Sequence, residues 1–241
     1  MNEVGDSNHS PPRPATRRRT RSRAALLDAA EQVFIEGRVA TLKVEELAER
    51  AGVSVGTIYT QFGSKDGVFL ALAERALDTA AAYLAEAFAV AESPLEQVAA
   101  TGAAYLQLLL DNPVLARYFV TDPLSLAGQS DEVRARIEGR AQELIDAVAS
   151  GIQAAIDAGQ AQPMDSKLMA NFLLASWNGV IAATQRPDAL ALSIQTAQDC
   201  IEQARRFLLD GMSTPEYRDS RGHSKARLLD VPRPVTGDVL P

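Results

Sequence analysis

Cysteine is nearly absent from this sequence. Cys200 is the only one in 241 residues, so neither an intrachain disulfide nor a multi-cysteine zinc site can form, and a reducing, cytoplasmic compartment is expected. Histidine is almost as scarce. His9 and His223 both fall in polar, proline-containing ends, which argues against a catalytic triad or a histidine-rich metal site in the body. Aromatics make up only 5% of the chain, while alanine and leucine recur throughout, a composition that leans helical. No apolar run approaches the roughly 20 residues needed to span a bilayer, and no charged start followed by an apolar stretch resembles a secretory signal. With 46% hydrophobic and 23% charged residues, the chain reads as soluble, globular and able to bury a sizeable core, with no membrane partner.

What is present is unevenly spread. The formal net charge is −7, yet residues 17–65 carry nine Lys/Arg against six Asp/Glu, while residues 66–241 carry 14 against 23. A small basic module thus precedes a larger acidic one. Five of its positive charges lie in the run Arg17, Arg18, Arg19, Arg21 and Arg23. Such a run is either a solvated tail or an arm along a phosphate backbone, with counterion release supplying affinity.

Residues 1–16 are rich in Ser, Pro and Asn without apolar period and are expected to be disordered, and 1–20 as a whole is read as a basic arm. From about Ser22 to Glu36, Leu26, Ala30, Val33 and Phe34 keep the spacing of one buried helical stripe. Thr41 is positioned to cap a second helix carrying Val44, Leu47, Ala48 and Ala51 inward. Ser54 caps a short third helix to Phe62, and Ser64 a long fourth one to about Val90. Ser93-Pro94-Leu95-Glu96 has the form of a capping box and opens a helix to about Asp111. Further helices are expected over about 114–120, 131–158, 166–185 and 189–211, with Gly139 and Gly151 as weak points in the second of these four. Residues 212–241 return to Pro, Gly and charge and are expected to form a flexible tail. The fold class expected is all-α: a three-helix domain over 21–66, then a larger helical domain over 67–211.

Within 44–63 the offsets have a mechanical reason. Ala48 is small where a second helix must approach, Gly52 supplies a positive φ at the turn, Val53 plugs it, and Ile58 packs the second helix back. This is a helix-turn-helix pattern, although an αα-hairpin without a DNA role shares it. The stretch from Glu46 to Asp66, with its Ala-Gly-Val-Ser turn, Gly-Thr-Ile-Tyr helix, Phe62 and Lys65, resembles the tetracycline-repressor (TetR) family of bacterial regulators.

With Ile58 and Phe62 inward, Gly56, Thr57, Tyr59 and Thr60 face outward or flank the exposed side, and Val55 lies at the boundary. Gly56 permits close backbone approach, and the threonines suit phosphates or a thymine methyl. The resemblance implies that Tyr59 and Lys65 grip phosphates. Thr41 and Lys43 stand at the start of the second helix, where the family commonly has a Thr at the position of Lys43. That departure leaves two readings: an earlier cap by Thr41, or a weaker cap with Lys43 gaining a phosphate. The short third helix holds no Arg, Lys or Asn, so the arginine arm and DNA shape are expected to supplement modest direct readout.

The resemblance further implies a small-molecule effector in the second domain, a homodimer through the last two helices and a double-stranded operator. Half-sites would then lie about 34–36 Å apart. Leu168, Phe172, Ala175 and Gly179 keep one helical face for such an interface. Tyr105, Phe119, Phe172, Trp177 and Asn178 are the candidate effector contacts, with Phe88 and Tyr118 behind them, although aromatics in bundles more often fill cores. No catalytic residue, metal site or cofactor is expected, and the chain is read as no enzyme. The expected function is a repressor released from a palindromic operator by its effector, with a constitutive DNA binder or an activator as alternatives.

Overall fold

The computed structural model describes residues 14–116 and 130–234. Among the described residues there are nine α-helices, one 3₁₀ turn and no strand, so the expected all-α class holds. The chain divides into two compact units, Met1–Leu72 and Ala73–Pro241, and the division falls inside a helix.

The first unit contains α1 (Pro14–Ile35), α2 (Val44–Arg50), α3 (Val55–Phe62) and the start of α4 (Lys65–Val90). The stripe Leu26, Ala30, Val33 and Phe34 is buried, together with Leu47, Ala48, Ile58 and Val68. Helix α2 ends as its sequence suggests: Gly52 takes φ +63°, its N–H reaches Glu49 O at 3.0 Å, and Val53 N–H reaches Ala48 O at 3.0 Å. This paired closure needs a left-handed residue after the helix, which glycine adopts without penalty.

Two expectations for this unit fail. Helix α1 begins at Pro14, not near Ser22, so Arg17–Arg23 lie on a helix and the described part of the arm is ordered. Proline at the first helical position lacks only an N–H that would be unpaired anyway, arginine is a good helix former, and the hydroxyls of Thr20 and Ser22 bond back to Thr16 O and Arg18 O. Second, Thr41 does not cap α2. Its hydroxyl donates to Arg38 O, while Lys43 occupies the cap position without a side-chain bond.

The second unit contains the rest of α4, then α5 (Pro94–Asp111), α6 (Pro113–Ala116), α7 (Asp131–Asp157), α8 (Ser166–Thr184) and α9 (Ile194–Met212). Helix α5 is the centre of this unit, with Leu95, Val98, Ala99, Ala104, Leu106, Leu108 and Leu109 buried against α7, α8 and α9. Helix α7 runs unbroken through Gly139 and Gly151. Helix α9 starts at Ile194, later than expected, because Ser193 accepts from Thr196 N–H and sets the cap there. The helix expected over 114–120 is described only to Ala116.

The loose tail is a further correction. Residues 213–234 are held against the second unit, with Ser213, Ala226 and Val231 buried. Arg227 donates from N and Nε to Glu96 Oε1 at 3.1 and 2.8 Å, and Arg233 from Nε and Nη2 to the Asp111 carboxylate at 2.6 and 2.9 Å. The buried Glu96 carboxylate needs a cation, and this segment supplies one.

Candidate nucleic-acid interface and ligand chamber

Ser54 fixes the start of α3, its Oγ accepting from Thr57 N–H at 3.3 Å. With Ile58 fully buried, Gly56, Tyr59 and Thr60 stand exposed and Val55 and Thr57 half-buried. Tyr59 is 54% exposed, a large ring left outside the core. Both threonine hydroxyls have local partners: Thr60 Oγ1 donates to Gly56 O at 2.8 Å, and Thr57 Oγ1 shares a hydrogen with Ser54 Oγ at 2.9 Å. Their methyls and remaining lone pairs are what an incoming duplex would meet.

Lys65 Nζ donates to Leu42 O at 3.0 Å and Val39 O at 3.4 Å. Two of its three N–H donors thus tie the start of α4 to the loop before α2, leaving one for an anion. Thr41 and Lys43 are exposed beside that loop. Arg17, Arg18, Arg19 and Arg21 are exposed along α1. Arg23 is a contact the sequence reading missed: its guanidinium carbon lies 4.6 Å from the centre of the Phe62 ring, so the basic helix is stacked onto the end of α3. Its signal was there, since an arginine one helical turn before the buried stripe meets the aromatic that closes α3.

A second layer steadies this surface. Arg50 donates to Glu36 at 2.7 Å and to Glu46 at 3.0 Å, and Arg38 pairs with the same two carboxylates. The Arg50 hydrogen bond holds the Glu36 carboxyl below its ordinary range. The pairs are exposed and individually weak, but together they lock the α1–α2 loop against the helix-turn-helix.

In the second unit, Tyr105 Oη donates to Asn178 Oδ1 at 2.5 Å, and the Tyr105 and Trp177 ring centres are 6.0 Å apart. Three of the five candidate effector residues are therefore brought together on α5 and α8. Burial pushes the Tyr105 phenol far above its ordinary value, with the Asn178 bond opposing it. Trp177 is 2% exposed, and a Cβ on Gly102 would lie 2.9 Å from its Cζ2, so the glycine makes room for the indole. Phe172 is not part of this group. It is 58% exposed and shares the outer face of α8 with Leu168, at 70%. Phe119 and Tyr118 lie outside the described residues, and Phe88 packs half-buried against the core.

Two groups here were not foreseen. Arg205 is buried, its guanidinium donating to Ala99 O at 2.8 Å, to Glu202 at 2.9 Å and to Leu229 O at 2.9 Å. Phe207 on α9 is 75% exposed, an apolar ring left outside the core. Among the described residues no three side chains are grouped to hold a metal ion, and no helix is long and apolar enough to cross a membrane.

Residues 26–72 match the family model for bacterial regulatory proteins, tetR family. An uncharacterized HTH-type transcriptional regulator of Mycobacterium tuberculosis is 30% identical over 114 residues, covering 46% of this chain and 56% of that protein. The chain thus spans little more than half the length of that relative. Among solved structures, the ketosteroid transcriptional regulator KstR2 of Mycobacterium tuberculosis matches with a TM-score of 0.58 at 22% identity, over 80% of this chain and 95% of the other. AibR, solved in complex with isovaleryl coenzyme A and operator DNA, matches with a TM-score of 0.59 at 16% identity, over 76% and 97%. At these identities the structural matches establish a shared fold.

Proposed function

We propose that this chain, whose residues 26–72 match the family model for bacterial regulatory proteins, tetR family, is a DNA-binding transcriptional regulator: a homodimeric repressor released from a palindromic operator by a small molecule. The observation that carries this reading is the outward face of α3. An 8-residue helix buries Ile58 and leaves Gly56, Tyr59 and Thr60 exposed, with Arg23 of the basic helix stacked at its end. That face has the size and chemistry for a major groove, and the arginines of α1 for the phosphates beside it.

A single short helix reads only a few base pairs, so two copies are needed. The exposed Leu168, Phe172 and Phe207 on α8 and α9 supply apolar surface for pairing. The effector site is the cluster of Tyr105, Trp177 and Asn178 on α5 and α8. Its ligand acts by favouring one of two arrangements of α4, which runs without interruption from the first unit into the second.

Selection of duplexes from a random library by the full chain, followed by titration, tests the reading. The expected result is an inverted repeat bound at least about 10³-fold more tightly than random DNA. Equal affinity for random duplexes overturns the operator-specific reading in favour of a constitutive, non-selective binder.

A further inference from the structure

Gly67 is the third residue of α4, with no positive φ to call for a glycine, and in a helix glycine is a poorer choice than alanine. Its place is explained by what stands beside it. A Cβ built on Gly67 would run into the main-chain oxygen of Phe62, and would lie 3.0 Å from the Phe62 carbonyl carbon and 3.5 Å from its Cβ. The bare Cα of Gly67 is therefore the seat on which the last residue of α3 rests. Ser64 Oγ accepts from Gly67 N–H at 3.0 Å and steadies that seat. Phe62 is also the residue whose ring carries the Arg23 guanidinium of the basic helix. Its carbonyl meets α4 and its ring meets α1.

The two sides of this contact are not equally free to yield. The start of α4 is pinned: Lys65 Nζ donates to Leu42 O and Val39 O, and Val68 and Phe69, which follow the glycine, are buried. Helix α3 has one buried anchor, Ile58. A main-chain carbonyl cannot rotate away as the tip of a side chain can, so a Cβ at position 67 displaces the C-terminal end of α3. Relieving the overlap takes a shift of about 1 Å. With Ile58 as a pivot about 6 Å back along the axis, that shift tilts the helix by about 10°. The exposed Tyr59 and Thr60 move with it, and a binding site tolerates displacements of only about 0.5 Å.

We propose that Gly67 is a positioning residue for DNA reading: by lacking a Cβ it seats the Phe62 carbonyl on the first turn of α4 and so sets the tilt at which α3 meets the groove. The inference rests on the reading of α3 as the DNA-reading helix and assigns part of its geometry to a residue outside that helix. Were the glycine an accident of composition, alanine would raise stability or leave it unchanged and would not touch DNA preference.

The full chain is titrated with an inverted repeat selected from a random library and with a random duplex, as parent, as Gly67→Ala and as Gly139→Ala. Gly139 is also helical, but a Cβ there meets nothing within 4 Å, so it controls for the added methyl. Gly67→Ala is expected to bind the repeat at least about tenfold more weakly than the parent and to keep its affinity for the random duplex, which rests on phosphate contacts. Gly139→Ala is expected to match the parent on both. Preference retained in a folded Gly67→Ala, an equal loss on both duplexes, or the same loss in Gly139→Ala each overturns the proposal. If circular dichroism shows that Gly67→Ala does not fold, the parent supplies the test. Proton contacts between labelled Gly67 and Phe62, measured by NMR in the complex with the repeat, are expected, and their absence overturns the proposal. A parent chain that prefers no sequence contradicts the operator reading whatever the variant does. A parent preference that survives in Gly67→Ala contradicts only the role given to Gly67.

Discussion

Arg227 and Glu96 form a paired contact across 131 residues of sequence: Nε donates to Oε1 at 2.8 Å and Nη2 to Oε2 at 3.2 Å. Glu96 is 4% exposed and also accepts from Glu92 N–H at 3.0 Å, so one carboxylate joins the start of α5 to the C-terminal segment. Removing the cation leaves that carboxylate buried beside only backbone donors. Arg227→Ala is expected to lower stability, read as an earlier midpoint in denaturant unfolding. Protease sensitivity between Ser213 and Pro234 should rise with it.

The same pair sets a pH dependence. The Arg227 hydrogen bonds hold the Glu96 carboxyl at about 2, below its ordinary value of 4.5. A group depressed on folding stabilises the native state above its unfolded pKa, so this contribution is complete above pH 4.5 and falls as pH drops towards 2. Unfolding measured across that window should show a shallower acid dependence in Glu96→Gln than in the parent chain.

Gly102 is tested by its own Cβ. In Gly102→Ala the new carbon meets Trp177 Cζ2 at 2.9 Å and Cε2 at 3.2 Å, both in a rigid ring. The substitution is expected to cost about 1–3 kcal/mol and to displace the indole, so the tryptophan emission of the folded variant should shift as well.

In the proposed dimer, the exposed Phe207 and Phe172 supply the pairing surface. A ring left 75% exposed contributes little to its own chain, so Phe207→Ser should leave helicity and unfolding midpoint of the isolated chain nearly unchanged. Sedimentation should show a weakened dimer, and Phe207→Ser with Phe172→Ser a monomer. An unaltered dimer would place the interface elsewhere.

Arg17 and Arg21 stand one helical turn apart on exposed α1. If both neutralise phosphates, alanine at the two positions reduces the slope of log affinity against log salt by about 2. Selectivity among sequences should change little, since phosphate contacts carry no base information.

The helix-turn-helix was legible in the sequence because its determinants are local. The Ser54 cap, the Gly52 turn and the Ile58 anchor all lie within a few residues of the backbone groups they satisfy, and each stands as expected. Tyr105, Trp177 and Asn178 could be named, but their meeting could not, because the Tyr105–Asn178 bond spans 73 residues. The C-terminal segment was misread for the same reason: its anchors to Glu96 and Asp111 lie 131 and 122 residues away, and it has no periodicity of its own. The arginine run lacked apolar residues and so gave no helical period, although nothing in it opposes a helix. Phe207 escaped notice because polar neighbours on α9 masked its exposure.

Whether the exposed face of α3 contacts duplex DNA is tested most directly at Tyr59. Titrate the selected duplex with the parent chain and with Tyr59→Ala, whose folding is checked by circular dichroism. The variant is expected to bind about tenfold more weakly, and added salt to weaken both. An unchanged affinity in a folded Tyr59→Ala, or parent binding indifferent to salt, would contradict that contact.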